Sequence, residues 1–371
     1  MKIFLKPVYI FFVCLFLSFF SKGQDTLSAD LFRLYLIGDS GKPSENDIIL
    51  NLLKKKLDKA GENSAVIFLG DNIYPDGMPP ENHKGRHLAE ERLGIQLEII
   101  KYYQGKSFII PGNHDWKEGN KEGWTYINEQ EEFVKQYLKE DVFFPKSGCP
   151  GPVEIPLTDK VTLIILDTQW FLHKGDKPGE ESNCRNKDIP AVLSDLENML
   201  KRNQGKKVVI AGHHPLFPKG AHGGYFSLKT HIFPLTDLEP FLYLPLPIVG
   251  SLYPLIRMLF PNTQDIFHPR YRHLKVDLSR IFKEHPGLIY ASGHDHSLQY
   301  TLEDSINYIV SGAGSKTTHV KKAKGGNFST AKKGFGELVF LNEGRVLLNF
   351  FLVSPANKEG EMVFSTSLIS N

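Results

Sequence analysis

Five apolar runs in this sequence each stop at a glycine that is followed at once by side chains able to bind metal ions. The five turns are Gly38-Asp39-Ser40-Gly41, Gly70-Asp71-Asn72-Ile73-Tyr74, Gly112-Asn113-His114-Asp115, Gly212-His213-His214 and Gly293-His294-Asp295-His296. A short β-branched run that stops at glycine is typical of a buried strand ending in a turn. Because open α/β sheets bind ligands at the carboxyl ends of their strands, we expect the turns to meet at one edge. Carboxylate, imidazole and amide groups there predict a metal site.

The spread of these turns along the chain limits how it can be divided into domains. They run from residue 39 to residue 296, and no linker, low-complexity tract or repeat separates them. Because the turns must converge, we interpret residues 24–371 as one α/β domain with an insertion at about residues 225–285. Apolar patterns predict helices at 46–60, 88–103, 129–140 and 189–203, and strands at 161–166, 306–310, 337–341 and 345–353. Beyond residue 318 we assign only strands, with Asn342-Glu343-Gly344 as a hairpin turn between the last two.

The first residues have the pattern of a secretory signal peptide. Lys2 and Lys6 precede an apolar run over residues 8–20, and Ser21-Lys22-Gly23 then places small residues where a signal peptidase cuts. We therefore predict a signal peptide at residues 1–23 and export to the periplasm or the extracellular space. An uncleaved segment that anchors the chain to a membrane is the alternative.

Charge and cysteine content narrow the functional classes. The formal charge of +2 becomes about −1 when residues 1–23, which carry three lysines and no acid, are removed. This balance gives no electrostatic basis for binding nucleic acid. Two cysteines remain in the mature chain, Cys149 and Cys184, and the sequence leaves open whether they pair or stay as free thiols.

Taken in order, the five turns resemble the five conserved blocks of the calcineurin-like metallophosphoesterases. The tyrosine in Gly70-Asp71-Asn72-Ile73-Tyr74 resembles the purple acid phosphatase branch of that family. The stretch Gly293-His294-Asp295-His296-Ser297-Leu298-Gln299-Tyr300 is most similar to the small, tartrate-resistant type. The resemblance covers about residues 31–315. It implies a four-layer α/β/β/α sandwich, in which two mixed β-sheets pack face to face with helices outside.

The resemblance also implies two metal ions and their ligands. The first site would be Asp39, Tyr74 and His296, the second would be Asn113, His213 and His294, and Asp71 would bridge the two ions. A phenolate suits Fe(III), whereas an amide oxygen and two imidazoles suit a divalent ion. The expected pair is Fe(III) with Fe(II), Zn(II) or Mn(II).

Two further histidines are implied to act on the substrate. His114 follows a ligand and would bind phosphate or protonate the leaving group, and His222 lies nine residues after His213, a spacing found in the small purple phosphatases. Together these residues imply an acid phosphatase-like enzyme that hydrolyses small-molecule phosphate monoesters through attack by a metal-bound hydroxide. We interpret His214 as a residue that supports the ligands or the fold, and we expect Asp295 to point away from the centre. Asp167 is interpreted as a turn or helix-cap residue.

The insertion makes this chain considerably longer between His222 and His294 than the small phosphatases. Residues 241–256 are rich in aromatic and aliphatic side chains but contain three prolines, which argues against a regular membrane-spanning helix. One hypothesis packs this segment on the edge of the domain beside the site. The other is that it contacts a membrane or a partner protein peripherally.

Two other functions are compatible with the sequence. A phosphodiesterase or nucleotide hydrolase could use the same ligands, because metal ligands define the reaction type better than the ester. A surface binding module with a structural metal site is the second alternative, but the filled set of seven ligand positions argues against it. The sequence does not indicate the natural substrate or the oligomeric state.

Overall fold

The computed structural model describes residues 30–237 and 241–369. The predicted signal peptide, residues 1–23, lies outside these residues. The strands in the described part of the chain are β1 Asp30–Ile37, β2 Ser64–Phe68, β3 Lys106–Ile109, β4 Val153–Thr158, β5 Val161–Ile165, β6 Lys207–Ala211, β7 Ile289–Ser292, β8 Leu298–Glu303, β9 Ile306–Ser311, β10 Phe328–Thr330, β11 Gly334–Leu341, β12 Val346–Ser354 and β13 Asn357–Ser367. The α-helices are α1 Ile48–Ala60, α2 Arg86–Ile100, α3 Gly123–Leu138, α4 Thr168–Leu172, α5 Ile189–Arg202, α6 Leu228–Ile232, α7 Pro247–Leu259 and α8 Pro269–Lys283.

The strands form two mixed sheets. The first sheet has the order β13-β12-β11-β1-β2-β3, and the second has the order β10-β8-β9-β7-β6-β5-β4. Parallel pairing joins β1 to β2 and β2 to β3 in the first sheet. It also joins β5, β6, β7 and β9 in the second sheet. Antiparallel strands complete both sheets, and the predicted α/β class with two mixed sheets flanked by helices is confirmed.

Alternate residues of the central strands face two different layers of the core. Leu34 and Leu36 of β1 pack in one apolar cluster with Ile165 of the other sheet, so this cluster lies between the sheets. Ile37 packs instead in a cluster that includes Leu53 of α1, on the helix side. Burial on both faces explains why these strands appear in the sequence as continuous apolar runs rather than as alternating ones.

Helices α1, α2, α3 and α5 correspond to the four predicted helices, with shifted ends. The Asp47 carboxylate accepts the backbone N–H groups of Ile49 and Leu50, and α1 therefore begins just after this cap. Helix α3 begins at Gly123 rather than at residue 129, and it ends where Lys139 adopts a left-handed conformation. The predicted strand at 161–166 is β5, and the predicted cap role of Asp167 is confirmed because its carboxylate accepts the N–H of Trp170 in α4.

Cys149 and Cys184 form a disulfide with a Cα–Cα distance of 5.6 Å. This resolves the pairing that the sequence left open. The bond joins the loop before β4 to the loop before α5, residues that are 35 positions apart in the chain.

The insertion at 225–285 contains α6, α7 and α8. Helix α8 buries Tyr271, Leu274 and Leu278 against the domain. The segment before it is far more exposed, because Phe241, Ile248 and Phe260 keep 90, 77 and 79 % of their surface in solvent. Within residues 30–237 and 241–369, no helix is long and apolar enough to span a bilayer.

Candidate metal centre

The five predicted turns meet at the carboxyl ends of the strands. Three of their residues, Asp39, Asp71 and His294, adopt positive φ angles of 58, 54 and 69°, which turn their side chains toward one another. Gly70 is needed here for two reasons. Its φ is +90°, and a Cβ at this position would lie 2.6 Å from Nδ1 of His213.

The first group of predicted ligands surrounds the hydroxyl of Tyr74. This oxygen lies 3.1 Å from Oδ1 of Asp39, 3.1 Å from Oδ2 of Asp71 and 3.0 Å from Nε2 of His296. The hydroxyl carries a single proton and can donate it to only one of these three atoms. The arrangement therefore concentrates oxygen and nitrogen lone pairs around one point.

The second group shows the same concentration of lone pairs. Oδ1 of Asn113 lies 3.0 Å from Nε2 of His213 and 2.9 Å from Nδ1 of His294, and the two ring nitrogens lie 3.2 Å apart. The other ring nitrogen of His213 lies 2.8 Å from the carbonyl of Leu69, and that of His294 lies 3.0 Å from the carbonyl of Gln264. Those carbonyls require N–H donors, so the nitrogens facing Asn113 carry lone pairs. Because the amide oxygen of Asn113 faces the two rings, a cation bound between them would interact with the lone pairs of this oxygen and of both facing ring nitrogens.

Asp71 lies between the two groups. Its Oδ2 faces Tyr74, and its Oδ1 lies 3.4 Å from Nε2 of His213. The backbone N–H of His114 donates to Oδ1 at 2.9 Å and fixes the carboxylate. One oxygen of Asp71 is thus directed at each group, which is the placement that a bridging ligand requires.

Burial dominates the electrostatics of this centre. It raises the pKa of Asp39, and the adjacent Asp71 carboxylate raises it further. Burial also opposes ionisation of Asp71, but the imidazoles of His213 and His114 outweigh it and keep the pKa of that carboxyl below its usual value. Burial lowers the pKa of His296 to about 3, so this ring is neutral at pH 7. Neighbouring buried acids with neutral imidazoles form a site that a cation would stabilise.

The surroundings of Tyr74 also oppose ionisation of its phenol. Burial, reinforced by the carboxylates of Asp39 and Asp71, raises the pKa of Tyr74 well above its ordinary value. A cation bound beside Tyr74 would oppose this effect, because it would stabilise the phenolate directly. Lys316 also lies over the ring, with Nζ 3.3 Å from the ring centroid.

The two histidines predicted to act on substrate both line the cavity beside the ligands. His114 contacts Asp71, with Nε2 3.9 Å from Oδ2, and its Nδ1 contacts the carbonyl of Pro75. The ring of His222 stacks on that of His294 at a centroid distance of 4.1 Å. The cavity has a volume of about 150 Å³, and its lining includes Asp71, Asn113, His114 and His222. The structure therefore brings all nine predicted site residues to one place.

Several polar residues beside the centre are structural, as predicted for His214 and Asp295. The two ring nitrogens of His214 are hydrogen-bonded to Thr168 and Gln264, each at 2.8 Å. Although His214 lies close enough to His213 and His294 to form a third cluster of ligand atoms, both of its nitrogens are thus already used. Asp295 accepts the backbone N–H of Gly220 at 2.8 Å and turns away from the centre.

Sequence reasoning missed three residues of the insertion that reach the cavity, Arg257, Asn262 and Gln264. It also missed Asp265, whose Oδ1 lies 3.1 Å from Nδ1 of His222. No glycine turn or strand end marks these residues in the sequence. The only signal is the run of polar residues 262–265 that follows the long apolar segment.

A comparison with family models matches residues 32–298 to the calcineurin-like phosphoesterase family. The chain belongs to this family. Calcineurin-like phosphoesterases are hydrolases of phosphate esters that use a dinuclear metal centre, and the Asp and His groups described above could hold metal ions. The resemblance inferred from the five glycine turns is thus confirmed at the level of the family.

Similar proteins include several acid phosphatases at low identity. Purple acid phosphatase 17 of Arabidopsis thaliana is 23% identical over 295 residues, which cover 76% of this chain and 68% of that protein. Tartrate-resistant acid phosphatase type 5 of Homo sapiens is 23% identical over 253 residues, which cover 67% of this chain and 60% of that protein. The similarity to these proteins accords with the purple acid phosphatase branch.

Solved structures with the same fold cover most of the chain. The structure titled GAP50, the anchor in the inner membrane complex of Plasmodium, aligns with a TM-score of 0.56 at 15% identity and covers 92% of this chain and 89% of that chain. The purple acid phosphatase PPD1 from yellow lupin (Lupinus luteus) seeds aligns with a TM-score of 0.54 at 13% identity and covers 92% of this chain and 54% of that one. At these identities the alignments establish the fold alone.

Proposed function

We propose that this calcineurin-like phosphoesterase hydrolyses small-molecule phosphate monoesters, as an acid phosphatase does, at a centre of two metal ions. The observation that supports this most strongly is the geometry of the seven predicted ligands. They converge in two groups of lone pairs with the Asp71 carboxylate between them. A surface binding module with a purely structural metal has less support, because the centre opens into a cavity also lined by His114 and His222.

The ligand chemistry supports a division of the two ions between the groups. Asp39, Tyr74 and His296 would hold Fe(III), because a phenolate is a hard anionic donor. Asn113, His213 and His294 would hold Fe(II), Zn(II) or Mn(II), with Asp71 shared. When bound, the ions would activate water, orient the phosphoryl group and neutralise its charge.

Two histidines of the chain would bind the phosphoryl group and protonate the leaving group. The backbone N–H of His114 donates to Asp71 and fixes its orientation, and the side chain of His114 lines the cavity that a substrate would enter. We assign His114 to protonation of the leaving oxygen, since an imidazole can carry a proton near neutral pH. Asp265 holds Nδ1 of His222, so Nε2 is the ring nitrogen left to face the phosphoryl group.

The decisive comparison is between p-nitrophenyl phosphate and bis(p-nitrophenyl) phosphate. We expect the monoester to be turned over with the higher kcat/KM in the metal-loaded protein. A higher kcat/KM for the bis ester would instead support the alternative of a phosphodiesterase or nucleotide hydrolase. Turnover of neither ester by a protein that holds two metals would contradict both proposals.

We also propose that the protein works outside the cytoplasm. The proposal rests on the signal-peptide pattern at residues 1–23 and on the disulfide between Cys149 and Cys184. Structural disulfides persist mainly in oxidising compartments such as the periplasm or the extracellular space.

A peripheral membrane contact through residues 241–256 is our second proposal. Phe241, Ile248 and Phe260 each expose more than three quarters of their surface to solvent. Arg257 is the only charged residue between positions 241 and 261. A protruding apolar segment of this composition, with aromatic side chains near both ends, suits the interface of a bilayer.

Flotation with phosphatidylcholine–phosphatidylglycerol vesicles tests this contact. We expect Phe241→Ser, Ile248→Ser and Phe260→Ser together to reduce the bound fraction at least about tenfold, because each large apolar side chain contributes roughly 1.5–3 kcal/mol when buried. The control carries Tyr102→Ser and Met362→Ser, two exposed apolar positions outside the segment. Equal binding of the triple variant and the wild type would contradict the contact.

A further inference from the structure

The insertion brings a guanidinium group to the cavity of the metal centre. Arg257 belongs to α7, and it lines the same cavity as Asn113, His114 and His296. Ten of the described residues line this cavity and three of them come from the insertion, with Arg257 the only lysine or arginine among those ten. The residues of the five glycine turns thus account for only part of the wall that a substrate would meet.

A buried carboxylate fixes the orientation of this guanidinium. Asp265 accepts from Nε of Arg257 at 2.9 Å and from Nη2 at 2.7 Å, which is a two-point contact. The same carboxylate contacts Nδ1 of His222 at 3.1 Å and accepts the backbone N–H of Asn262 at 3.2 Å. Asp265 is almost completely buried, so it holds Arg257 and His222 as one unit.

The imidazole ring of His222 lies between the guanidinium of Arg257 and the predicted ligands. Nη2 of Arg257 lies 3.4 Å from Nδ1 of His222, and the His222 ring stacks on His294. A phosphoryl group beside the ligands would therefore be separated from Arg257 by the His222 imidazole. Glu118 contacts His114 with Oε1 3.4 Å from Nδ1, and it places negative charge on another part of the cavity wall. Arg257, paired with Asp265, and Glu118 thus contribute charged groups of opposite sign to the wall of the cavity.

We propose that Arg257 binds a second anionic group on the substrate, and that it makes the enzyme selective for substrates whose leaving group carries a phosphoryl or similar anion. This inference rests on the proposed hydrolysis of phosphate esters. A guanidinium has five N–H donors, so it can keep the two-point contact with Asp265 and also donate to a phosphoryl oxygen, whereas a lysine could not keep that two-point contact. Arg257 is thus a specificity residue that the insertion adds to the centre.

Adenosine 5′-monophosphate and adenosine 5′-diphosphate form a matched pair for the test. The leaving group is neutral for the monophosphate and carries a phosphoryl group when the terminal phosphoryl of the diphosphate is attacked. We expect Arg257→Gln to lower the diphosphate-to-monophosphate ratio of kcat/KM about tenfold or more, with Arg257→Lys between the variant and the wild type. Comparing each variant with the wild type cancels the different intrinsic reactivity of the two substrates. Arg272→Gln, an exposed arginine of α8, is the control and should leave the ratio unchanged.

Binding of methylenediphosphonate, measured by calorimetry on the metal-loaded protein, gives a readout that does not depend on turnover. We expect Arg257→Gln to weaken this binding at least about tenfold more than it weakens binding of inorganic phosphate. An equal loss for both substrates and both ligands would overturn the inference, because Arg257 would then only support His222. Arg257-dependent binding in a protein that hydrolyses neither nucleotide would instead contradict the proposed function and leave the inference standing.

Discussion

Asp71→Asn is expected to lower kcat for p-nitrophenyl phosphate by more than about 10³-fold, because stabilisation of charge by bound metals contributes several kcal/mol. The Asp71 carboxylate directs one oxygen at each group of predicted ligands. Asparagine keeps the size of the side chain but supplies one neutral oxygen and an NH₂ group, which repels a cation. Metal analysis of the purified variant should show fewer than two ions per chain, and kcat for p-nitrophenyl phosphate should fall accordingly.

Asp167→Asn is the matched control for this substitution. Asp167 is also a completely buried strand-end aspartate, but its carboxylate caps α4 and accepts the indole N–H of Trp116. Burial raises the pKa of Asp167 to about 7. The asparagine amide has one acceptor oxygen for these two N–H groups, so the variant should lose some stability without losing a predicted ligand. This variant should keep both metals and most of the activity. Retention of full activity and two metals by Asp71→Asn would show that this carboxylate does not bridge the ions.

Removal of the metals is expected to destabilise the fold as well as to abolish turnover. In the metal-free protein, Asn113, His213 and His294 would bring three lone pairs within 3.2 Å of one another. A ligand that binds only the folded state stabilises it by roughly 3–4 kcal/mol at 100 to 1,000 times its dissociation constant. Calorimetry should therefore show a fall in Tm of roughly 5–10 °C after chelation, with recovery when metal is returned.

The same chelation applied to Asp71→Asn distinguishes the centre from other metal sites. This variant should show a smaller fall in Tm than the wild type, because part of its metal is already lost. An unchanged Tm in the wild type, after metal analysis confirms that the ions have left, would contradict the stabilising role of the centre.

The sequence predicted which residues the structure brings together at the candidate centre, because these residues lie next to strong local signals. Each of the five turns follows a strand that is buried on both faces, and a glycine with positive φ or close packing, as at Gly70, marks the strand end. The carboxyl ends of parallel strands share one edge, so convergence follows from the topology. Asp167 was predicted not to be a metal ligand, because a strand-end aspartate commonly caps the next helix, and it does cap α4.

The remaining part of the site depends on tertiary contacts that leave no local signal. Arg257 and Asp265 reach His222 only because the insertion folds back over the cavity, and Ile266 donates its backbone N–H to the carbonyl of His222. Nothing in the spacing of residues 257 and 265 indicates this return. The helices α6, α7 and α8 were likewise unpredicted, because prolines and a dense apolar run obscure their periodicity.

The most direct test of the central claim is the metal content of the purified protein together with its visible spectrum, measured for the wild type and for Tyr74→Phe. We predict two metal ions per chain in the wild type. One of them should be iron, with a purple phenolate-to-Fe(III) band that disappears in Tyr74→Phe. An active wild-type protein that binds fewer than two ions would contradict the dinuclear centre, and a purple band that persists in Tyr74→Phe would contradict the assignment of Tyr74 as the iron ligand.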